Sequence, residues 1–200
     1  MDVLVPFAAH EPKTRLADVF DEDERAALSR EMLADVLDAV RNAGGEPTVV
    51  ATAPIELPAR TVVDDRPLTD AVNARLEPPI AIVMADLALA TPAALRALFA
   101  ADSDVAIAPG LGGGTNALVV HHPEFYVDYH GASFRAHREI AAEIGAEVET
   151  VDSFRLAVDV DEPSDLAEVL LHADGRSAAW LRRAGVRLVV EDGRVRTSRR

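Results

Sequence analysis

Two short apolar runs constrain this chain more than anything else in it. Val3–Pro6 (VLVP) and Ile80–Met84 (IAIVM) carry no polar side chain, and each runs straight into a polar segment. A strand that is apolar at successive positions must be buried on both faces, which occurs almost only where helices cover both sides of a mostly parallel sheet. The rest of the chain supplies such helices. Asp21–Asn42 has apolar residues at Leu28, Met32, Leu37 and Val40 with acids in its first turn, an amphipathic helix closed by Gly44 and Gly45. Further strands are expected at Asp2–Pro6, Thr48–Ala51, Thr61–Val63, Ile80–Asp86, Asp104–Pro109, Ala117–His121, Ala146–Val151 and Arg155–Asp161. Helices are expected at Leu68–Leu76, from a Thr91 cap to Ala100, from a Ser133 cap to Ile144, at Ser164–His172 and up to Trp180. Val186–Val190 with Val195 reads as a hairpin around Asp192 and Gly193, and the tail VRTSRR as a solvated end. Alternation of this kind makes an α/β chain, and residues 1–200 read as one domain without repeat or linker.

Composition excludes several function classes. With 49% hydrophobic residues and no cysteine, the chain is neither disordered nor disulfide-stapled and has no thiolate chemistry. A reducing cytoplasm is the expected compartment, since no signal peptide or membrane-length apolar stretch occurs. The 34 acidic against 20 basic side chains give a net charge of −14, which repels nucleic acid and favours a salt-rich setting that screens self-repulsion. A GC-rich genome would also produce the bias toward arginine. Among those 20 basic residues only Lys13 is a lysine.

Ligands of such sheets sit outside the carboxyl ends of the strands, and the informative polar residues fall there. AAHEPKTRL follows the first strand, Asp86 closes the fourth, GLGGGTN follows the fifth, and Asp159 and Asp161 precede Pro163. Converging carboxylates are the oxygen ligands that Mg²⁺ takes, and Lys13 and Arg15 supply charge for a polyphosphate. Each signal has a plain structural alternative. GLGGGT lacks the GK[ST] of a phosphate loop and can be a turn, DVDEP can be a helix cap from Asp161 or Ser164, and the six histidines show no metal spacing. Four such signals at one sheet edge point together to a nucleotide site.

The segments VPFAAHEPKTRL, IVMADLAL, IAPGLGGGTNALVV, YHGASFRAH and VDVDEPSDL, in this order from Val3 to about Leu170, resemble the 2-phospho-L-lactate guanylyltransferase family of coenzyme F420 biosynthesis. The resemblance implies a nucleotide-diphospho-sugar transferase-like (Rossmann-like) fold, Mg²⁺ as cofactor, GTP and 2-phospho-L-lactate (in some members phosphoenolpyruvate) as substrates, and a homodimer. By position, Asp86, Asp159 and Asp161 match the family's metal aspartates and Lys13 its phosphate-binding lysine, with Arg15 beside it. Thr115 and Ser133 match its acceptor-phosphate contacts, where the backbone amides of Gly113 and Gly114 and the turn at Gly131 add donors. The chain departs from the family pattern in lacking a second lysine early in PFAAHEP and in carrying His130 where a glycine is usual. A sugar-phosphate nucleotidyltransferase, a glycosyltransferase and a noncatalytic nucleotide-binding domain are the competing readings.

Overall fold

The computed structural model describes residues 1–10 and 12–199. Seven strands form one sheet: β1 (Asp2–Phe7), β2 (Glu46–Ala51), β3 (Arg60–Val63), β4 (Ile80–Val83), β5 (Val105–Pro109), β6 (Thr115–Val120) and β7 (Val148–Thr150). Their order is β3-β2-β1-β4-β6-β5-β7, and all run parallel except β6, which is antiparallel to both β4 and β5. The chain winds outward from β1 through β2 to β3 and then returns to the other side of β1 as β4. That reversal opens a crevice at the carboxyl ends of β1 and β4, where open α/β sheets take their ligands.

The doubly buried strands behave as their composition demands. In β1, Val3 and Val5 enter one apolar cluster and Leu4 the other; in β4, Ala81 and Val83 face the first while Ile80 and Ile82 face the second. Helix α1 (Glu22–Asn42) covers the first face with Leu33, Val36, Leu37 and Val40. Asp21 caps it through a reciprocal box, accepting from the Glu24 N–H while the Glu24 carboxylate accepts from the Asp21 N–H. The other face is covered by α2 (Leu68–Asn73), α4 (Ser133–Glu143) and the segment carrying Phe125 and Val127. Back on the first face beside α1, α3 (Pro92–Phe99) buries Leu95 and Leu98 and starts at Thr91, whose side chain accepts from Ala94 N–H as a cap should.

A third cluster gathers α1, α6 (Asp165–His172), α7 (Arg176–Arg183) and the hairpin β8 (Val186–Glu191) and β9 (Arg194–Arg199). Leu181 is fully buried there, and Trp180 packs edge-on against Phe20 with ring centroids 5.3 Å apart. The hairpin turns at Asp192 and Gly193, both at positive φ.

Several expectations are corrected. The tail is not a free end: β9 incorporates it as far as Arg199, whose guanidinium pairs with the Glu24 carboxylate, while Arg200 lies outside the described residues. Arg155–Asp161 is not a strand. Phe154–Ala157 is a short helix, α5, and Val158–Asp161 runs extended without a ladder partner, so the alternation of buried Val158 and Val160 with Asp159 and Asp161 arises from packing into the third cluster. The segment GLGGG links antiparallel β5 to β6, and Thr115 and Asn116 already belong to β6.

Candidate active site

Lys13 sits in the loop after β1 with its backbone in the left-handed region (φ 55°), a conformation that costs a non-glycine residue about 1–2 kcal/mol. The 3-10 turn Thr14–Leu16 follows, anchored by fully buried Leu16, and the Ala9 N–H donates to Thr52 Oγ1 at 2.9 Å, which pins the start of the loop to the end of β2. The strained backbone is held by two ion pairs: Lys13 Nζ lies 2.6 Å from Asp86 Oδ2 and 2.7 Å from Asp161 Oδ1. Burial pulls the ammonium down, but the two carboxylates outweigh it and hold Lys13 above its ordinary value. Asp86 is pushed up, because burial and repulsion from Asp159 and Asp161 exceed the pull of Lys13.

Asp86 lies beyond the end of β4, in the turn that follows. Its carbonyl accepts from the Val160 N–H at 3.2 Å, which lays the extended segment 158–161 against it. The Asp165 carboxylate then accepts from the Asp161 and Glu162 N–H groups at 2.9 and 2.7 Å, fixing the turn into α6. No side chain caps α6: Ser164 holds the cap position without a side-chain bond, and Asp161 does not serve there, while Asp165 closes the turn that precedes the helix. Arg15 is exposed and only 3.8 Å from Asp161 Oδ2, on the rim of the cluster.

Asp159 is held differently. Asn116 Nδ2 donates to its Oδ1 at 3.1 Å and to the Leu156 carbonyl at 2.9 Å. Asn116 in turn requires Gly110, since a Cβ there would come within 2.5 Å of Asn116 Oδ1. Among the described residues no three His, Asp or Glu side chains gather into a metal cluster; the Lys13 ammonium occupies the space between Asp86 and Asp161. The chemistry of the site nonetheless suits a cation. Asp86 Oδ1 is buried without any hydrogen-bond partner, and an orphaned buried carboxylate oxygen is an unmet demand for positive charge.

A second cluster lies around Thr115, on the opposite face of β6 from Asn116. The Thr115 N–H donates to Ser133 Oγ at 2.9 Å, so Ser133 is the first residue of α4 and not its cap; the cap position is Ala132, without a side-chain bond. His137 Nε2 accepts from the Asp128 N–H at 2.9 Å. Nδ1 therefore carries the proton of the neutral ring and donates to Thr115 Oγ1 at 2.9 Å. Burial lowers His137 to about 4, which keeps it neutral. Gly113 and Gly131 both take positive φ, the conformation that glycine adopts without strain. The Ser133 N–H bonds to the Gly131 carbonyl, and Gly114 is within 3.9 Å of Ser133 Oγ once a Cβ is placed on it. His130, the departure from the family pattern, pairs with Asp128 at 2.6 Å on the surface.

The crevice beside the first cluster is a cleft of about 340 Å³. Lys13, Asp86 and Asp161 line one end, and Phe7, Val50, Leu68 and Met84 contribute apolar wall, whereas Gly113, Gly114, Thr115, Gly131 and Ser133 are outside its lining. Four polar residues of this neighbourhood were not singled out from the sequence. Asn116 and Asp165 lie inside quoted motifs, GTN and DEPSD, and were within reach; Asp64 and Arg66 carry no local signal and become visible only when β3 brings them to the cleft.

The sheet order and the cleft at the reversal define a nucleotidyltransferase-type fold. A Desulfovibrio desulfuricans G20 protein assigned as a nucleotide-diphospho-sugar transferase superposes with a TM-score of 0.73 at 18% identity, over 91% of this chain and 94% of that one. A Mycobacterium tuberculosis H37Rv protein solved in complex with manganese matches with a TM-score of 0.51 at 18% identity, over 85% and 98%. Sequence comparison narrows the class. The family model described as "Guanylyl transferase CofC like" matches residues 1–200. Proteins named 2-phospho-L-lactate guanylyltransferase from Natronomonas pharaonis and Halomicrobium mukohataei are 66% and 61% identical, each covering 100% of both chains. The chain belongs to the CofC-like guanylyl transferase family.

Proposed function

We propose that this chain, as a single nucleotidyltransferase domain over its 200 residues, transfers GMP from GTP to the phosphate of 2-phospho-L-lactate, releasing pyrophosphate. The observation that carries the reading is Lys13 joining Asp86 and Asp161 at the crevice where the sheet reverses. An oxygen of the acceptor phosphate attacks the α-phosphorus, and the bond to the bridging oxygen of the leaving pyrophosphate breaks. The attacking oxygen is already anionic at neutral pH, so no general base is needed; positioning and charge neutralisation carry the catalysis. Lys13 and Arg15 offset charge on the leaving phosphates. Asp86, Asp159 and Asp161 would hold Mg²⁺, which supplies Lewis-acid stabilisation of phosphate oxygens when bound. Thr115 and Ser133, with the amides of Gly113 and Gly114 and the turn at Gly131, bind the acceptor phosphate.

Support for this substrate pair comes from the named relatives. Among the described residues no helix is long and apolar enough to cross a membrane, in keeping with a cytoplasmic enzyme. A homodimer is part of the proposal, and light scattering checks it. Pyrophosphate release measured with GTP, ATP, CTP and UTP, each against phospholactate and phosphoenolpyruvate, tests the function. Release with GTP and phospholactate supports it; release only with another nucleotide or only with phosphoenolpyruvate overturns it.

A further inference from the structure

The cleft has a second polar feature, remote in sequence from the phosphate end. Asp64, just after β3, accepts from Arg66 Nε at 2.9 Å and from Arg66 NH2 at 2.6 Å, and its Oδ2 also takes Arg75 NH1. Arg75 is itself fixed by the Ala71 carbonyl at 2.8 Å, so the carboxylate is anchored to α2. The two guanidinium groups hold Asp64 well below the usual carboxylate range. This lock consumes the Nε side of Arg66 and leaves the other edge, NH1 and the second proton of NH2, without a hydrogen bond among the described residues. Arg66 lines the same cleft as Lys13 and Asp86. Phe7, Val50, Leu68 and Met84 line the cleft as well, an apolar surface suited to a flat ring. On the α1 side, Ser29 Oγ is buried, faces the cleft and has no hydrogen-bond partner, a further sign that a polar ligand belongs there.

A planar fork of two parallel N–H donors matches two adjacent acceptors. Guanine presents such a pair, O6 and N7, whereas adenine presents the N6 amino donor beside N7 and would set donor against donor. Pyrimidines have no N7. We infer that Arg66, pre-aligned by Asp64 and Arg75, reads the O6/N7 edge of the purine and so selects guanine for this site. The inference rests on the nucleotidyltransferase reading above and deepens it by naming the residue that chooses the base. Asp64 and Arg75 are positioning residues: they touch Arg66 and not the nucleotide.

Calorimetric titration of the Mg²⁺-supplemented protein, without acceptor, separates this from the transferase reading. Wild type should bind GTP and ITP comparably, since the 2-amino group is not part of the pair. It should bind 7-deaza-GTP and ATP on the order of 10- to 100-fold more weakly, the range for one bidentate base contact. Arg66→Met should lower GTP affinity by a similar factor and bring GTP, 7-deaza-GTP and ATP close together. Arg66→Lys, a charge without a fork, should recover general affinity but not the N7 dependence. Arg66 is half-exposed, so both variants should fold, and an unchanged melting temperature confirms it. Retention of the full GTP preference in Arg66→Met overturns the inference, as does failure of the wild type to bind GTP. Binding with the expected base pattern but no pyrophosphate release on adding phospholactate overturns the transferase reading and leaves the base selection standing.

Discussion

The Lys13 cluster and the Thr115 cluster flank the same edge of the sheet and are built on opposite terms. Around Lys13 the charges are concentrated and incompletely met: a strained lysine backbone, two carboxylates sharing one ammonium, and an orphaned oxygen on Asp86. Around Thr115 the groups are neutral and saturated, with His137 fixed as one tautomer between Asp128 and Thr115, and Ser133 closed onto the Thr115 N–H. Unmet charge in a cleft is a demand for ligand. A satisfied neutral network is a scaffold that holds Thr115 and Ser133 in fixed positions.

If that contrast is right, the largest effect belongs to the charged cluster. Asp161→Asn should leave the melting temperature nearly unchanged and lower turnover by at least about 100-fold, the scale for removing one strong electrostatic contribution. Near-normal turnover would put the metal and phosphate site elsewhere.

The neutral cluster should show itself in stability instead. Folded His137 titrates at about 4, below its ordinary 6.5, so between those values the unfolded chain binds a proton that the native state does not. Stability is therefore complete above about 6.5 and falls on acidification, by up to ~1.4 kcal/mol per pH unit from this one group. Urea titrations from pH 7 to 4.5 should show a steeper loss for wild type than for His137→Asn; parallel curves would mean the ring is not buried neutral. Ser133→Ala removes the acceptor for the buried Thr115 N–H and should cost about 1–3 kcal/mol, read from the same titrations. A neutral result there would return Ser133 to the surface of α4.

The smallest effect is global and should spare the contrast. Screening the −14 net charge should raise the melting temperature between ~0.15 M and molar KCl, where the Debye length shortens from about 8 to 3 Å. A flat or falling melting temperature would count against a salt-adapted chain.

How much of this was legible in the sequence differs between the two regions for a physical reason. Wherever a local pattern forces the outcome, reading was reliable: the amphipathic helix from Asp21 with acids in its first turn, the doubly buried runs at β1 and β4, the Asp192–Gly193 turn, and Lys13 as the lone lysine next to a strand end. Asp86 and Asp161 were legible as neighbours because both follow strands or extended segments that end at one sheet edge. The neutral network was not. Ser133 looks like a cap by local preference, but a tertiary partner, Thr115 N–H, claims its oxygen. Asp159 and Asp161 alternate with valines as in a strand, yet among the described residues the segment pairs with no strand and its valines pack into the third cluster. The reversed direction of β6 leaves no trace in its composition, since a strand buried on both faces reads the same in either direction. Arg66 is opaque for the same reason: its role depends on where β3 delivers it.

The central claim is that one cluster handles the nucleotide and the other the acceptor, and a single assay of pyrophosphate release compares them directly. With both substrates varied, Lys13→Ala should raise the KM for GTP by about 10-fold or more and leave that for phospholactate nearly unchanged. Thr115→Val should do the reverse, raising the phospholactate KM while the GTP KM stays at the wild-type level. Equal GTP kinetics in wild type and Lys13→Ala, or a Thr115→Val variant impaired toward GTP and not phospholactate, would contradict the division of labour.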